Sequence, residues 1–141
     1  MSHNLLEGLN FSDERGSIKF FNSFNMSEII RMYEISPGNT TIKRGWQGHK
    51  NEKKWFYCYT GEFVVNLIKL DNFETPTSEL KPERFLLEAH SPRVLEISGG
   101  YATGFKASKE GSKLLVFSNY TLEQSKNDDF RYPIEKWDAI W

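Results

Sequence analysis

The residues of this chain best suited to chemistry fall in one short stretch. Between Lys43 and Phe63 the sequence reads "KRGWQGHKNEKKWFYCYTGEF", a polar pair two residues apart followed by a run of strand formers between glycines. Of that pair, His49 alone titrates near neutral pH, so it alone can take up and return a proton. The carboxamide of Gln47 cannot; it donates and accepts hydrogen bonds only. Arg44, just ahead, is permanently charged and presents several donors, which suits an anionic group such as a phosphate. With Tyr33, these residues fall on neighbouring strands or their mouths, where polar side chains converge on a cavity.

The elements that must position them are short strands. "SIKFF" (17–21), "SEIIRMYEI" (27–35), "KKWFYCYT" (53–60), "EFVVNLIKL" (62–70), "RFLLEA" (84–89), "RVLEI" (93–97) and "SKLLVFSN" (112–119) are rich in β-branched and aromatic residues. Turn clusters separate them: "SPGNT", "TG", "DNFETPTSELKPE", "HSP", "SGG" and "SKEGS". In "IIRMYEI" the alternation puts Arg31, Tyr33 and Ile35 on one face. The glycine-rich "SGGYATG" lacks the Lys-Ser/Thr and the following helix of a phosphate loop and reads as a turn between two strands. "TPTSELKP" reads as a long surface loop, and "YPIEKWDAIW" as a short helix or an irregular tail. Strands at this spacing, with no long helical stripe, predict an all-β sandwich or barrel, one domain over residues 1–141.

Composition narrows the function. Among 141 residues there are eleven Phe, six Tyr and four Trp, and such aromatic content favours strands and ring-gripping pockets. The net charge of -1 is mixed along the chain, and the densest basic run, "KNEKK", is interrupted by Glu52, which argues against a nucleic-acid surface. No apolar stretch approaches a membrane span, and the N-terminus lacks a signal-peptide pattern, so a soluble cytoplasmic protein is expected. The single cysteine, Cys58, reads as a small buried hydrophobe. His3 is expected to be mobile at the terminus and His90 to sit in a turn.

Three stretches carry a resemblance. They are "DERGSIKFF", then "RMYEISPGNTTIKRGWQGHK", then "LEISGGYATGFKASKEGSKLLVFSNYTLEQSKNDDFRYPIEKW". In this order and spacing they resemble the cupin family of nucleotide-sugar isomerases and epimerases. That family includes dTDP-4-dehydrorhamnose 3,5-epimerase and the dTDP-4-keto-6-deoxyglucose 3,4-ketoisomerases. The resemblance implies a cupin double-stranded β-helix (jelly roll), a homodimer, a nucleotide-linked deoxysugar as ligand, no cofactor, and a setting in surface-polysaccharide sugar synthesis.

The departures from the family pattern shape the expectation. The four ligand places of metal-binding cupins correspond here to Gln47, His49, Lys54 and Thr103. One competent ligand in four cannot satisfy a divalent ion, so no metal site is expected. Gln47 stands where the epimerases carry their base, and Thr103 where the family has a further histidine. The resemblance assigns His49 as the surviving base and Tyr33 or Tyr120 as acid. Arg44 and Arg15 then hold the substrate, with Gln47 and Thr103 as further contacts. Two readings stay open: a metal-independent isomerase working through His49, or a cupin that keeps the sugar-nucleotide pocket without the proton shuttle.

Overall fold

The computed structural model describes residues 2–141. The strands are β1 (His3–Glu7), β2 (Leu9–Asp13), β3 (Gly16–Phe20), β4 (Arg31–Ile35), β5 (Arg44–His49) and β6 (Lys54–Thr60). They continue with β7 (Glu62–Lys69), β8 (Glu83–Glu88), β9 (Arg93–Ile97), β10 (Tyr101–Ala107), β11 (Lys113–Ser118) and β12 (Phe130–Arg131). One short helix, α1 (Leu122–Lys126), follows β11. Two five-stranded antiparallel sheets, ordered β1-β9-β6-β11-β4 and β12-β5-β10-β7-β8, face each other, and β2 and β3 form a separate hairpin. No helix among the described residues is long and apolar enough to cross a membrane.

The core lies between the sheets and follows the period-two pattern of the strands. Phe56 and Cys58 of β6, Phe63, Val65 and Leu67 of β7, Tyr101 and Phe105 of β10, and Leu114 and Val116 of β11 pack there. The second sheet is covered on its outer face as well. Trp46, Ile68, Leu70 and Ala102 pack under Trp137, with Tyr132, Ile134 and Trp141 of the C-terminal segment around them. Burial on both faces is why "FVVNLI" of β7 reads as a continuous apolar run rather than an alternating one. The indole N–H groups are paired: Trp46 donates to the Ile134 carbonyl at 3.0 Å and Trp137 to that of Thr77 at 2.9 Å.

Several boundaries differ from the sequence reading. "SGGYATG" is a turn only to Gly100; "YATGFKA" is β10, a central strand, because its small residues lie beneath the tryptophans of the tail. His3, expected to be mobile, is placed in β1, with Tyr101 Oη at 3.1 Å from Nδ1 and Glu83 at 2.9 Å from Nε2. The segment 27–30 precedes β4 instead of extending it. The tail is irregular apart from one 3-10 turn, Ile134–Lys136. Helix α1 is too short to show a periodic stripe and buries no residue; Thr121 starts it through a capping box with Gln124.

Candidate functional site

A cavity of about 80 Å³ opens between the sheets. β5 supplies Arg44, Gly45 and Gln47 to it, β4 supplies Tyr33 and Ile35, and β6 supplies Lys54 and Phe56. Thr103 and Phe105 of β10, Val116 of β11 and Arg131 of β12 complete the wall. Register explains the convergence: Gln47 pairs with Thr103 of β10 and with Arg131 of β12, so three sequence-distant side chains share one level.

Gly45 makes this arrangement possible. Its φ is +151°, and a Cβ there would lie 2.8 Å from Gly104 Cα and 3.0 Å from the Thr103 carbonyl. Only glycine lets β5 press this close to β10, where the register shifts between Thr103 and Phe105.

The polar side of the cavity is cationic. Arg44, Lys54 and Arg131 line it, and no carboxylate does. Arg131 is neutralised by Asp129 at 2.7 Å. Neither Arg44 nor Lys54 has a carboxylate partner among the described residues. Lys54 is only 6% exposed. Its ammonium donates to Tyr33 Oη at 3.0 Å and lies 5.6 Å from the centre of that ring. A buried ammonium with a phenol as its one partner retains donors for an incoming anion or carbonyl oxygen.

Gln47 is held by its neighbour. Its Nε2 donates to Asp129 Oδ1 at 3.0 Å, and because a carboxylate can only accept, the amide oxygen is left for the cavity. Partial burial pushes the Asp129 carboxyl up, but hydrogen bonds from Arg131 and Gln47 outweigh it and hold the group below the usual carboxylate range.

His49 sits one strand pair further along β5, opposite Tyr101, and does not line the cavity. Its Nδ1 lies 2.6 Å from the Asp128 carbonyl. A carbonyl cannot donate, so Nδ1 carries the hydrogen and Nε2 bears the lone pair. That Nε2 is buried and has no partner. Burial and then the Lys54 charge hold the imidazole pKa below 6.5, so the ring is neutral near pH 7. Asp128 also shapes the loop that follows: its carboxylate accepts the backbone N–H groups of Lys50, Asn51 and Glu52 at 2.7, 2.9 and 2.8 Å.

The structure therefore gathers Tyr33, Arg44, Gln47 and Thr103 around one cavity with His49 behind it. It does not bring Tyr120 or Arg15 there within this chain. Tyr120 faces a surface hollow with Lys50, Asn51, Gln124 and Asn127, and its backbone carbonyl holds Arg31. Arg15 is at the tip of the β2–β3 hairpin, where it pairs with Asp13 at 2.6 Å. Sequence reasoning gave no binding role to Lys54 or Arg131. Lys54 had a legible signal, since it shares the inward phase of β6 with Phe56 and Cys58. No cluster of three or more His, Cys, Asp or Glu stands together to hold a metal ion among the described residues.

No protein-family model matches the chain, and no curated protein matches it by sequence. Solved structures do match, and they show the fold. A TDP-quinovose 3,4-ketoisomerase from Campylobacter jejuni has a TM-score of 0.70 at 23% identity, over 92% of this chain and 92% of that one. A mutant 3,4-ketoisomerase from Thermoanaerobacterium thermosaccharolyticum, in complex with TDP-4-keto-6-deoxyglucose, has a TM-score of 0.71 at 20% identity, over 92% and 87%. A 4-keto-6-deoxy sugar epimerase from the novobiocin gene cluster of Streptomyces spheroides has a TM-score of 0.80 at 15% identity, over 99% and 74%. The chain thus has the all-β cupin fold of these sugar-nucleotide isomerases and epimerases, the group its motifs resemble.

Proposed function

We propose that the protein is a metal-independent isomerase of the 3,4-ketoisomerase type, acting on a dTDP-4-keto-6-deoxyhexose. One observation carries the reading: the buried imidazole of His49 is fixed with its proton on Nδ1, leaving Nε2 as a bare lone pair behind a cationic cavity. That is the state a general base needs. Nε2 takes the C3 proton, the C3–H electron pair forms the C3=C4 bond, and the C4 carbonyl oxygen becomes an enolate. Lys54 and Tyr33 stabilise that oxygen and supply its proton, giving an enediol. The O3 proton then returns to the Lys54–Tyr33 pair and the His49 imidazolium gives its proton to C4, completing the 3-keto product and restoring both groups. For His49 to act, the substrate or the Lys54 side chain has to open the wall that now seals Nε2.

Arg44 binds the phosphates at the mouth, and the oxygen of Gln47 and the Thr103 hydroxyl contact the sugar. The apolar wall of Ile35, Phe56, Phe105 and Val116 suits a deoxy position. The match to ketoisomerases over nearly their full length, against 74% of the epimerase, supports this choice. The setting is cytoplasmic synthesis of surface-polysaccharide sugars. The protein works as a homodimer in which the exposed Leu9, Phe11 and Ile18 of the hairpin meet a second copy, carrying Arg15 with them.

The test is incubation with dTDP-4-keto-6-deoxyglucose, followed by NMR. The 3-keto isomer is expected. The sealed Nε2 and the Asp129-bound Gln47 favour a second reading, a binding protein without the shuttle. Saturable binding of the sugar nucleotide with unchanged substrate establishes it instead.

A further inference from the structure

Behind the cavity lies a polar cluster with Glu52, 1% exposed, at its centre. Its Oε2 accepts from Arg31 Nη2 at 3.0 Å and from Ser118 Oγ, and its Oε1 from Ser125 Oγ at 2.7 Å. The same Oε1 is 3.4 Å from His49 Nδ1. Arg31 is itself anchored through Nε to the Tyr120 carbonyl at 3.1 Å. The loop does not need this carboxylate to close, since Asp128 already binds its three backbone N–H groups. Arg31 and the two serine hydroxyls pair this buried carboxylate, and the nearest group whose charge changes is His49.

We propose that Glu52 is a positioning residue for His49, its carboxylate lying against Nδ1 beside the Asp128 carbonyl and supplying the counter-charge to the imidazolium. The proposal rests on His49 being the base. When Nε2 takes a proton, a second buried cation forms near Lys54, and Glu52 is the side-chain carboxylate that touches the ring. The other charged or titratable groups around His49 are Lys54 from β6, Tyr101 from β10, Arg31 and Tyr33 from β4, and Asp128 and Asp129 from the loop before β12. Arg31 offsets part of the Glu52 charge, so the two residues bias His49 in opposite directions.

The test is an NMR titration of the histidine ring signals in the full-length protein, with His49 assigned by the peak lost in His49→Gln. Glu52→Gln keeps the shape and removes the charge, and is expected to lower the His49 midpoint by about one pH unit or more. Glu52→Asp keeps the charge and is expected to hold the midpoint within about half a unit. Arg31→Gln is expected to raise it by about half a unit. A Glu52→Gln midpoint within about 0.3 units of wild type overturns the role. Should that variant not fold, a midpoint in Arg31→Gln that does not rise overturns it equally. This readout needs no turnover, so failure of the isomerase reading is seen separately, as wild-type protein that titrates as expected yet leaves the substrate unchanged.

Discussion

Replacing Asp128 by Asn tests the side-chain cap that sets the loop after β5 and leaves the backbone carbonyl facing His49 in place. Three N–H groups converge on two carboxylate oxygens, with Lys50 on Oδ1 and both Asn51 and Glu52 on Oδ2. An amide has one oxygen, so the better orientation keeps the two donors on the Oδ2 side and turns its NH2 group against Lys50 N–H. One stranded donor costs about 1–3 kcal/mol, and losing the charge weakens each remaining bond by about 1 kcal/mol. Because Lys50 N–H is only part-buried, the sum falls near the lower end, about 3 kcal/mol. For a chain of 141 residues this lowers Tm by roughly 10 °C. Asp13→Asn, which weakens a surface pair with the largely exposed Arg15, is expected to lower Tm far less. Thermal unfolding compares the two, and hydrogen exchange at the amides of residues 50–52 localises the effect. Asp128→Asn within about 3 °C of wild type would refute the capping argument.

Other outcomes follow from the same geometry. Lys54→Met exchanges a buried ammonium lacking a carboxylate for an apolar chain of similar length; Tm is expected to hold or rise while isomerisation falls at least about a hundredfold. The folded-state pKa of His49 lies below 6.5, so the unfolded chain takes up its proton first as pH falls. Its contribution is constant above about pH 7 and is lost below 6.5 by up to about 1.4 kcal/mol per pH unit until the folded pKa is reached. Urea unfolding from pH 7 to 5 is therefore expected to be shallower in His49→Gln, and an equal slope contradicts the buried neutral ring. Gln47→His places a titratable ring on the cavity wall itself and is expected to add solvent exchange at a sugar carbon that the wild type leaves alone, followed by NMR in deuterated water.

Much of the fold was legible because its signals are local. Alternation in β4 put Arg31, Tyr33 and Ile35 on one face, which is the half-buried one, and the strand–turn rhythm defined an all-β architecture. Gln47 and Thr103 were singled out from separate motifs, and pairing of β5 with β10 puts them side by side. The hidden part depends on contacts distant in sequence. "KNEKK" reads as an interrupted basic run, yet Glu52 is buried because Ser118, Ser125 and Asp128, far on in sequence, satisfy it. β10 was obscured for a related reason: its small residues look like a turn until the tryptophans of the tail are seen to need the space.

The central claim is that His49 moves a proton on a carbon beside the ketone. Wild-type protein is incubated with dTDP-4-keto-6-deoxyglucose in deuterated water beside His49→Gln, and loss of the C3 proton with deuterium at C4 of the 3-keto product is read by NMR. The account predicts incorporation by wild type and its loss in a variant that still binds dTDP. Incorporation that persists undiminished in His49→Gln contradicts it.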